Sequence, residues 1–252
     1  MNFSGKVAFV AGGTSGIGKE TGWQFARAGA AVLLTGTNAE AGKAIAGEMQ
    51  AQGLQARFHR CDVSAELEVK QAVEATLDRF GRLDFAVNSA GIYQYGTQTV
   101  AEIDSATWDR ILAVNLTGTF YCMKYQIAAM LRDGGGSVVN IASGAGLKPV
   151  PFAAAYVASK HGVIGLTKNA ALEYAGRNIR ANVICPGLVK TGMTAFLDDA
   201  PAEVVEAYVK ANPMERIGLP EEQASAALWL CTPGAAFTTG IVMPVDGGFS
   251  MR

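Results

Sequence analysis

The sequence predicts an α/β protein, a doubly wound parallel sheet of about seven strands with helices on both faces. Short apolar runs alternate along the chain with stretches whose apolar residues recur at helical spacing, the pattern that right-handed βαβ crossovers require. The first apolar run ends in a glycine-rich turn that opens a helix. Half of the 252 residues are hydrophobic, enough to cover strands on both faces.

Taken in order, the apolar runs place strands near 6 to 11, 30 to 36, 55 to 61, 83 to 88, 136 to 142, 179 to 185 and 240 to 245. The first carries Val7, Ala8, Phe9 and Val10, and the helix after it carries Trp23, Phe25 and Ala26. Helical spacing recurs over 64 to 80 through Leu67, Val69, Ala72, Val73 and Leu77. It recurs again over 105 to 131, through Trp108, Ile111, Leu112, Leu116, Phe120 and Met123, and over 152 to 175. No repeat, low-complexity tract or linker interrupts the alternation, so 1 to 252 reads as one domain. Only 187 to 214 breaks the rhythm, with Phe196, Leu197, Asp198, Asp199, Pro201 and a short helical piece near 202 to 211. It follows a strand end at Pro186 and Gly187, and sheets of this kind bind ligands at the carboxyl ends of their strands. A substrate lid over about 192 to 214 is therefore expected.

Composition excludes several function classes. A net charge of −1 with 17% charged residues offers no basic field, so neither nucleic acid nor membrane is an expected partner. Cys61, Cys122, Cys185 and Cys231 lie far apart without a CxxC pair, which argues against zinc and against a disulfide framework. His59 has no Cys or His ligand at useful spacing, so no metal site is expected. The N-terminus has no charged segment followed by a long apolar core, and no 18-residue apolar run follows, which gives a cytoplasmic location as the expectation.

Two motifs carry chemistry on their own residues. AGGTSGIG at 11 to 18 sits between a strand and a helix, where backbone N–H groups and the positive helix end accept a pyrophosphate; Gly12, Gly16 and Gly18 supply the tight turn and close approach. Tyr156 and Lys160 are four apart on a helix and share a face. A Lys ammonium beside a phenol favours the phenolate, which tunes Tyr156 as a general acid or base. His161 lies well round the helix from Tyr156 and reads as structural.

With CDV at 61 to 63, NSAG at 88 to 91, Asn115 in VNLTG, Ser143 in NIASG, YVASK at 156 to 160, PGLVKT at 186 to 191 and VDGGF at 245 to 249, the chain resembles the short-chain dehydrogenase/reductase family in its single-domain form. The resemblance implies a Rossmann-type sheet and an enzyme interconverting a ketone and a secondary alcohol by hydride transfer with a nicotinamide cofactor. It assigns Tyr156 as the proton donor or acceptor, with Lys160 lowering its pKa and holding the nicotinamide ribose. Ser143 then binds the substrate oxygen, and Asn115 holds a water that relays protons from Lys160. For the cofactor it implies Gly12, Gly16, Ile17 and Gly18 at the pyrophosphate, and Asp62 and Val63 at the adenine. Asn88, Ala90 and Gly91 fall at the adenosine ribose, with Asn88 also tying neighbouring strands. Pro186, Gly187, Val189 and Thr191 fall at the carboxamide. NSAG differs from the commoner NNAG, and Ala11 stands where Thr is usual; neither removes a group the chemistry needs.

The second strand ends in Leu34, Thr35, Gly36, Thr37, Asn38, with no acid for a ribose 2′-hydroxyl and no base for a 2′-phosphate. Gly36 holds the acid position, and Thr37 and Ser15 the two basic positions. Missing repulsion plus the hydroxyls of Thr35 and Thr37 tilts the expectation to NADP(H) over NAD(H). Pocket positions by the resemblance are Ile92, Tyr93, Gln94, Ala145, Leu147, Phe152, Leu188, Met193, Phe196 and Leu197, mostly apolar, which favours a ketone or secondary alcohol with hydrophobic substituents over a phosphorylated sugar. A 3-oxoacyl-carrier-protein reductase is the enzymatic alternative; it needs a basic docking surface, for which Lys124, Arg132 and Arg177 are available. A nucleotide-sensing or scaffolding protein without turnover is the alternative from another class. Helices 105 to 131 and 152 to 175 carry more apolar residues than one sheet-facing stripe needs, which implies self-association. By the resemblance these helices form one interface and Gly240 to Arg252 another, giving a homotetramer.

Overall fold

Seven strands pair in parallel in the computed structural model, which describes residues 1–251: β1 (Val7–Ala11), β2 (Ala31–Gly36), β3 (Ala56–Arg60), β4 (Phe85–Asn88), β5 (Gly136–Ile141), β6 (Ile179–Pro186) and β7 (Val242–Val245). Their spatial order is β3-β2-β1-β4-β5-β6-β7, so the direction of winding reverses between β1 and β4. Each expected strand is present, six of them trimmed at one or both ends and β6 extended by one residue to Pro186. The last starts at Val242 rather than at residue 240, because Gly240 takes a left-handed φ of 73° that a strand does not allow. Arg252, the last residue of the stretch expected to self-associate, lies outside the described residues.

Strand alternation sorts the core into two layers. Ala8, Val10, Val32, Leu34, Val87 and Val139 face α1 (Gly16–Arg27), α2 (Ala39–Ala51) and α8 (Pro220–Cys231), which contribute Trp23, Phe25, Ile45, Met49 and Leu230. Phe9, Ala11, Leu33, Ala86, Val138 and Ala181 face α3 (Glu66–Phe80), α5 (Gly118–Arg132) and α6 (Ala154–Tyr174), with Val69, Val73, Met123, Ile127 and Ala170. Period 2 in the strands meets period 3.6 in the helices, and the five inner strands are buried from both sides, while the edge strands β3 and β7 are only partly covered. All four cysteines are buried and unpaired. No helix among the described residues is long and apolar enough to cross a membrane.

The stretch expected as one helix over 105 to 131 is three segments. α4 (Ser105–Leu112), capped by the Asp104 side chain on the Thr107 N–H, runs into a π-helical turn at Ala113–Thr117 before α5 begins. Asn115 sits in that wider turn. The short piece α7 (Ala202–Lys210) buries none of its residues.

A buried amide network fixes the second helical layer to the sheet. Asn88 Nδ2 donates to Gln126 Oε1 at 3.0 Å and Asn140 Oδ1 at 2.9 Å, and Gln126 Nε2 returns a bond to Asn88 Oδ1 at 2.8 Å. Asn140 Nδ2 goes on to donate to Thr167 Oγ1 at 2.8 Å, so β4, β5, α5 and α6 share one chain of hydrogen bonds. Asn88→Ala leaves polar atoms of Gln126 and Asn140 buried without partners. It is expected to cost on the order of 3 kcal/mol in urea denaturation; a loss below about 1 kcal/mol would show that the network does not anchor the helices.

Candidate active site

The glycine turn is pressed onto the end of β4. Gly12 has a φ of 74°, and a Cβ there would lie 2.6 Å from the Ala90 nitrogen; a Cβ on Gly18 would lie 2.2 Å from the Gly12 carbonyl oxygen. Only hydrogen fits at either place, so the start of α1 aims its free N–H groups into the space above the β1–β4 reversal. That space is a cleft of about 480 Å³.

The cleft collects most of the residues expected from the sequence. Gly12, Ser15, Gly16, Ile17, Thr37, Asp62, Val63, Ala90, Gly91, Pro186, Gly187, Val189 and Thr191 line it together with Ser143, Tyr156 and Lys160. Three expected residues do not. Gly18 lies beneath the turn, where it lets α1 approach Gly12. Asn88 is buried with its amide committed to Gln126 and Asn140, so the strand-tying role holds and its side chain is turned away from the cleft. Asn115 is fully buried: its Nδ2 donates to the Ile92 carbonyl at 2.9 Å and to Ser159 Oγ at 3.1 Å, while its Oδ1 accepts the Ile92 N–H at 2.8 Å. The Asn115 side chain therefore clamps the segment that carries Ala90 and Gly91 instead of facing the cleft.

Tyr156 and Lys160 share a face of α6 as the spacing requires, with Lys160 Nζ 5.6 Å from the Tyr156 ring centroid. Ser143, at the end of β5, hydrogen-bonds the Tyr156 hydroxyl. The electrostatics differ from the expectation that Lys160 depresses Tyr156. Burial pushes the Tyr156 phenol up to about 12, the Ser143 hydrogen bond opposing it only in part, and burial brings Lys160 down to about 8. The ammonium points to the Ile141 carbonyl, to which Nζ donates at 3.0 Å. Sequence spacing gives the shared face; desolvation, which spacing does not report, sets the protonation of both groups.

At the other end, Asp62 accepts from the Ser64 N–H at 3.0 Å and its Oγ at 2.6 Å. Burial raises its pKa, but these bonds and the guanidinium of Arg110, 3.9 Å from Oδ2, outweigh it and hold the carboxyl below its usual range. Arg110 also lines the cleft, as do Val114, Tyr95 and Thr194. Arg110 and Tyr95 belong to no motif, and only the fold brings α4 and the loop after β4 over the strand ends; Val114 falls in VNLTG and Thr194 in the expected lid. Of the ten expected pocket residues, Ile92, Tyr93 and Met193 line the cleft, whereas Gln94, Ala145, Leu147, Phe152, Leu188, Phe196 and Leu197 do not. Gln94 is buried with Oε1 accepting the Ala155 N–H at 3.1 Å, which caps the start of α6, and Leu188 lines a separate cavity of about 340 Å³ with Met214 and Val245.

The end of β2 is open at Thr37 and closed at Gly36. Thr37 is exposed, whereas a Cβ on Gly36 would lie 2.8 Å from Thr14 Cγ2. The donor set fits a dinucleotide: a glycine cradle at a helix start, a carboxylate at the far strand end, and hydroxyl and ammonium groups at the near one. Among the described residues no group of three or more His, Cys, Asp or Glu could hold a metal ion.

Comparison with known proteins places this geometry. Residues 11–250 match the family model described as enoyl-(acyl carrier protein) reductase. The chain is 42% identical over 250 residues to a 2,5-dichloro-2,5-cyclohexadiene-1,4-diol dehydrogenase of Sphingobium indicum, covering 99% of this chain and 98% of that one. Among solved structures, a short-chain type dehydrogenase/reductase from Mycobacterium ulcerans superposes with a TM-score of 0.95 at 34% identity, covering 100% of this chain and 92% of the other. A variant of actinorhodin polyketide ketoreductase with NADPH gives 0.92 at 35% identity, covering 98% of each chain.

The protonation of Lys160 has a signature in stability. An unfolded chain titrates Lys160 near 10.5 and the fold near 8, so the unfolded state binds more protons between those values and stability rises with pH across that window. Below it the fold bears the full penalty of a buried ammonium; above it, none. Lys160→Met is expected to remove a rise on the order of 3 kcal/mol between pH 8 and 10.5 in urea denaturation. Equal slopes in the two proteins would place Lys160 in a hydrated site.

Proposed function

The chain belongs to the short-chain dehydrogenase/reductase family, and on that premise we propose that it interconverts a small apolar ketone and the corresponding secondary alcohol with Asn115, Ser143, Tyr156 and Lys160 as its working residues. The observation that carries the reading is the hydrogen bond between Ser143 and Tyr156 inside the cleft, with the Lys160 ammonium on the same helix face. When bound, the nicotinamide cofactor supplies or takes up a hydride at the substrate carbon. Tyr156 donates its proton to the substrate oxygen as that oxygen gains charge, and accepts it back in the oxidative direction. Ser143 holds the same oxygen from a fixed position, a polar contact that strengthens as charge develops. Lys160 holds the ribose hydroxyls. Asn115 positions the Gly91–Ile92 segment over the cleft.

For the cofactor, the glycine turn takes the pyrophosphate, Asp62 and Val63 the adenine, and Pro186, Gly187, Val189 and Thr191 the carboxamide. The preference for NADP(H) over NAD(H) is supported by the open hydroxyl at Thr37 and the space that Thr14 occupies beside Gly36, where an acid would sit. A ring-bearing substrate is supported by the relative that acts on a cyclohexadienediol. The carrier-protein alternative loses support because Lys124, one of its three candidate cations, is paired with Glu66 at 2.6 Å. The intact set of polar groups in the cleft favours turnover over sensing.

Residues 192–214 read as the lid: Gly192, Met193 and Thr194 line the cleft, while α7 buries nothing. Self-association as a homotetramer is supported by exposed Trp108, Phe120 and Leu172 on α4, α5 and α6, and by Phe237 and Met251 near the C-terminus. The four unpaired thiols support a cytoplasmic location.

Tyr156→Phe is expected to lower kcat by about a hundredfold or more while leaving cofactor affinity within about twofold, because it deletes only the proton donor. Near-normal turnover of a panel of ketones and alcohols, followed by nicotinamide absorbance, would remove the assignment. Thr37→Arg is expected to tighten NADPH about tenfold and leave NADH unchanged in fluorescence titrations. An equal effect on both would mean that residue 37 lies away from the 2′ position.

A further inference from the structure

A ladder of aromatic rings leads from Tyr156 to the segment over the cleft, and the proton and hydride chemistry makes no use of it. Tyr93 stands edge-on to Tyr156, with ring centroids 4.8 Å apart at 65°. Tyr95 stands edge-on to Tyr93 at 5.1 Å and 70°. Phe196 meets Tyr95 at 6.5 Å and 76°, and Tyr208 meets Phe196 at 5.7 Å and 70°. The first two rings come from the loop after β4, the last two from the Gly192–Leu197 turn and α7. One hydrogen bond joins the two halves: the Tyr95 hydroxyl donates to the Met193 carbonyl at 2.8 Å.

The ladder does not behave as core. A packed aromatic cluster hides its rings, as Phe3, Phe25 and Phe85 do under β1 and β4, each less than a tenth exposed. Here Tyr95, Phe196 and Tyr208 are 56%, 45% and 43% exposed. Tyr93 and Tyr95 both line the cleft, so the uncovered surface is continuous with the site. No rung carries a charge. Such a surface gains most from an apolar occupant that is flat or rigid, because the occupant covers ring faces without losing rotors of its own.

Resting on the proposed ketone and alcohol chemistry, we propose that Tyr93, Tyr95, Phe196 and Tyr208 form the specificity wall of the site, selecting substrates whose reacting carbon lies in an alicyclic or unsaturated ring over open-chain ones of equal carbon number. Tyr93 sets the substrate ring against Tyr156. Tyr95 is a positioning residue: its hydroxyl holds the outer rungs in line with the inner ones.

The test compares cyclohexanone with 2-hexanone. Dissociation constants are measured by protein fluorescence in the complex with oxidised cofactor, which cannot reduce a ketone, and kcat/KM is measured in parallel with reduced cofactor. The wild-type protein is expected to bind the ring ketone about tenfold more tightly. Tyr93→Leu is expected to remove that preference by weakening the ring ketone alone, and Tyr93→Phe, which keeps the ring, to preserve it. Tyr95→Phe is expected to raise KM with kcat held, since it frees the outer rungs and leaves Tyr156 untouched. Equal affinity for the two ketones in the wild type, or equal weakening of both by Tyr93→Leu, would overturn the wall. Ring selectivity in binding without turnover would leave the wall standing and sink the proposed reaction. Turnover without ring selectivity would do the reverse.

Discussion

The buried amide network through Asn88, Gln126, Asn140 and Thr167 is the constraint on which the site depends. Sheet packing by apolar contact alone tolerates sliding of a helix along a strand layer. Directional bonds in a low-dielectric interior do not, because a shift of one residue leaves several amide groups unpaired. The network ties α5 and α6 to β4 and β5, and α6 carries Tyr156 and Lys160. Asn115 adds a second tie, from the π turn before α5 to the main chain of Ile92. Ala90, Gly91 and the reactive face of α6 are thus set in position by polar groups that lie outside the lining of the cleft.

Burial then gives the two α6 groups their character. Tyr156 is a neutral phenol around pH 7 and Lys160 a cation whose charge is held at a desolvation cost, with the Ile141 main-chain carbonyl as its partner. A neutral phenol is the form that gives up a proton. An ammonium without a carboxylate partner is available to hydroxyl ligands. The same low dielectric that disfavours the phenolate also strengthens whatever hydrogen bond meets a developing oxyanion beside Ser143.

The fold was legible because its signals are local. Apolar runs such as Val7–Val10 and the glycine turn at 11 to 18 each report on a few consecutive residues, and alternation of such segments fixes a parallel sheet. The lining of the cleft was legible wherever a motif sits at a strand end. What was hidden depends on tertiary approach. Nothing in the local sequence says that Asn115 spends its amide on the Ile92 main chain, that Gln94 caps α6, or that Arg110 reaches Asp62. The π turn at Asn115 was missed for the same reason, since apolar spacing continues across it. The protonation of Tyr156 and Lys160 was misjudged because proximity of two groups is visible in spacing and their dehydration is not.

The four cysteines have a practical corollary. Burial raises the thiols of Cys61 and Cys231 to about 12, that of Cys185 to about 11, and that of Cys122 further. Thiolate is the nucleophile in alkylation and the target of peroxide, so at neutral pH the folded protein presents almost none. Maleimides and mild oxidants should pass it by, and unfolding should be reported by sudden thiol reactivity. A cysteine introduced on the outer surface of α7 would be the one fast-reacting thiol among the described residues. The native background is already silent for a site-specific fluorophore or spin label on the segment above the cleft.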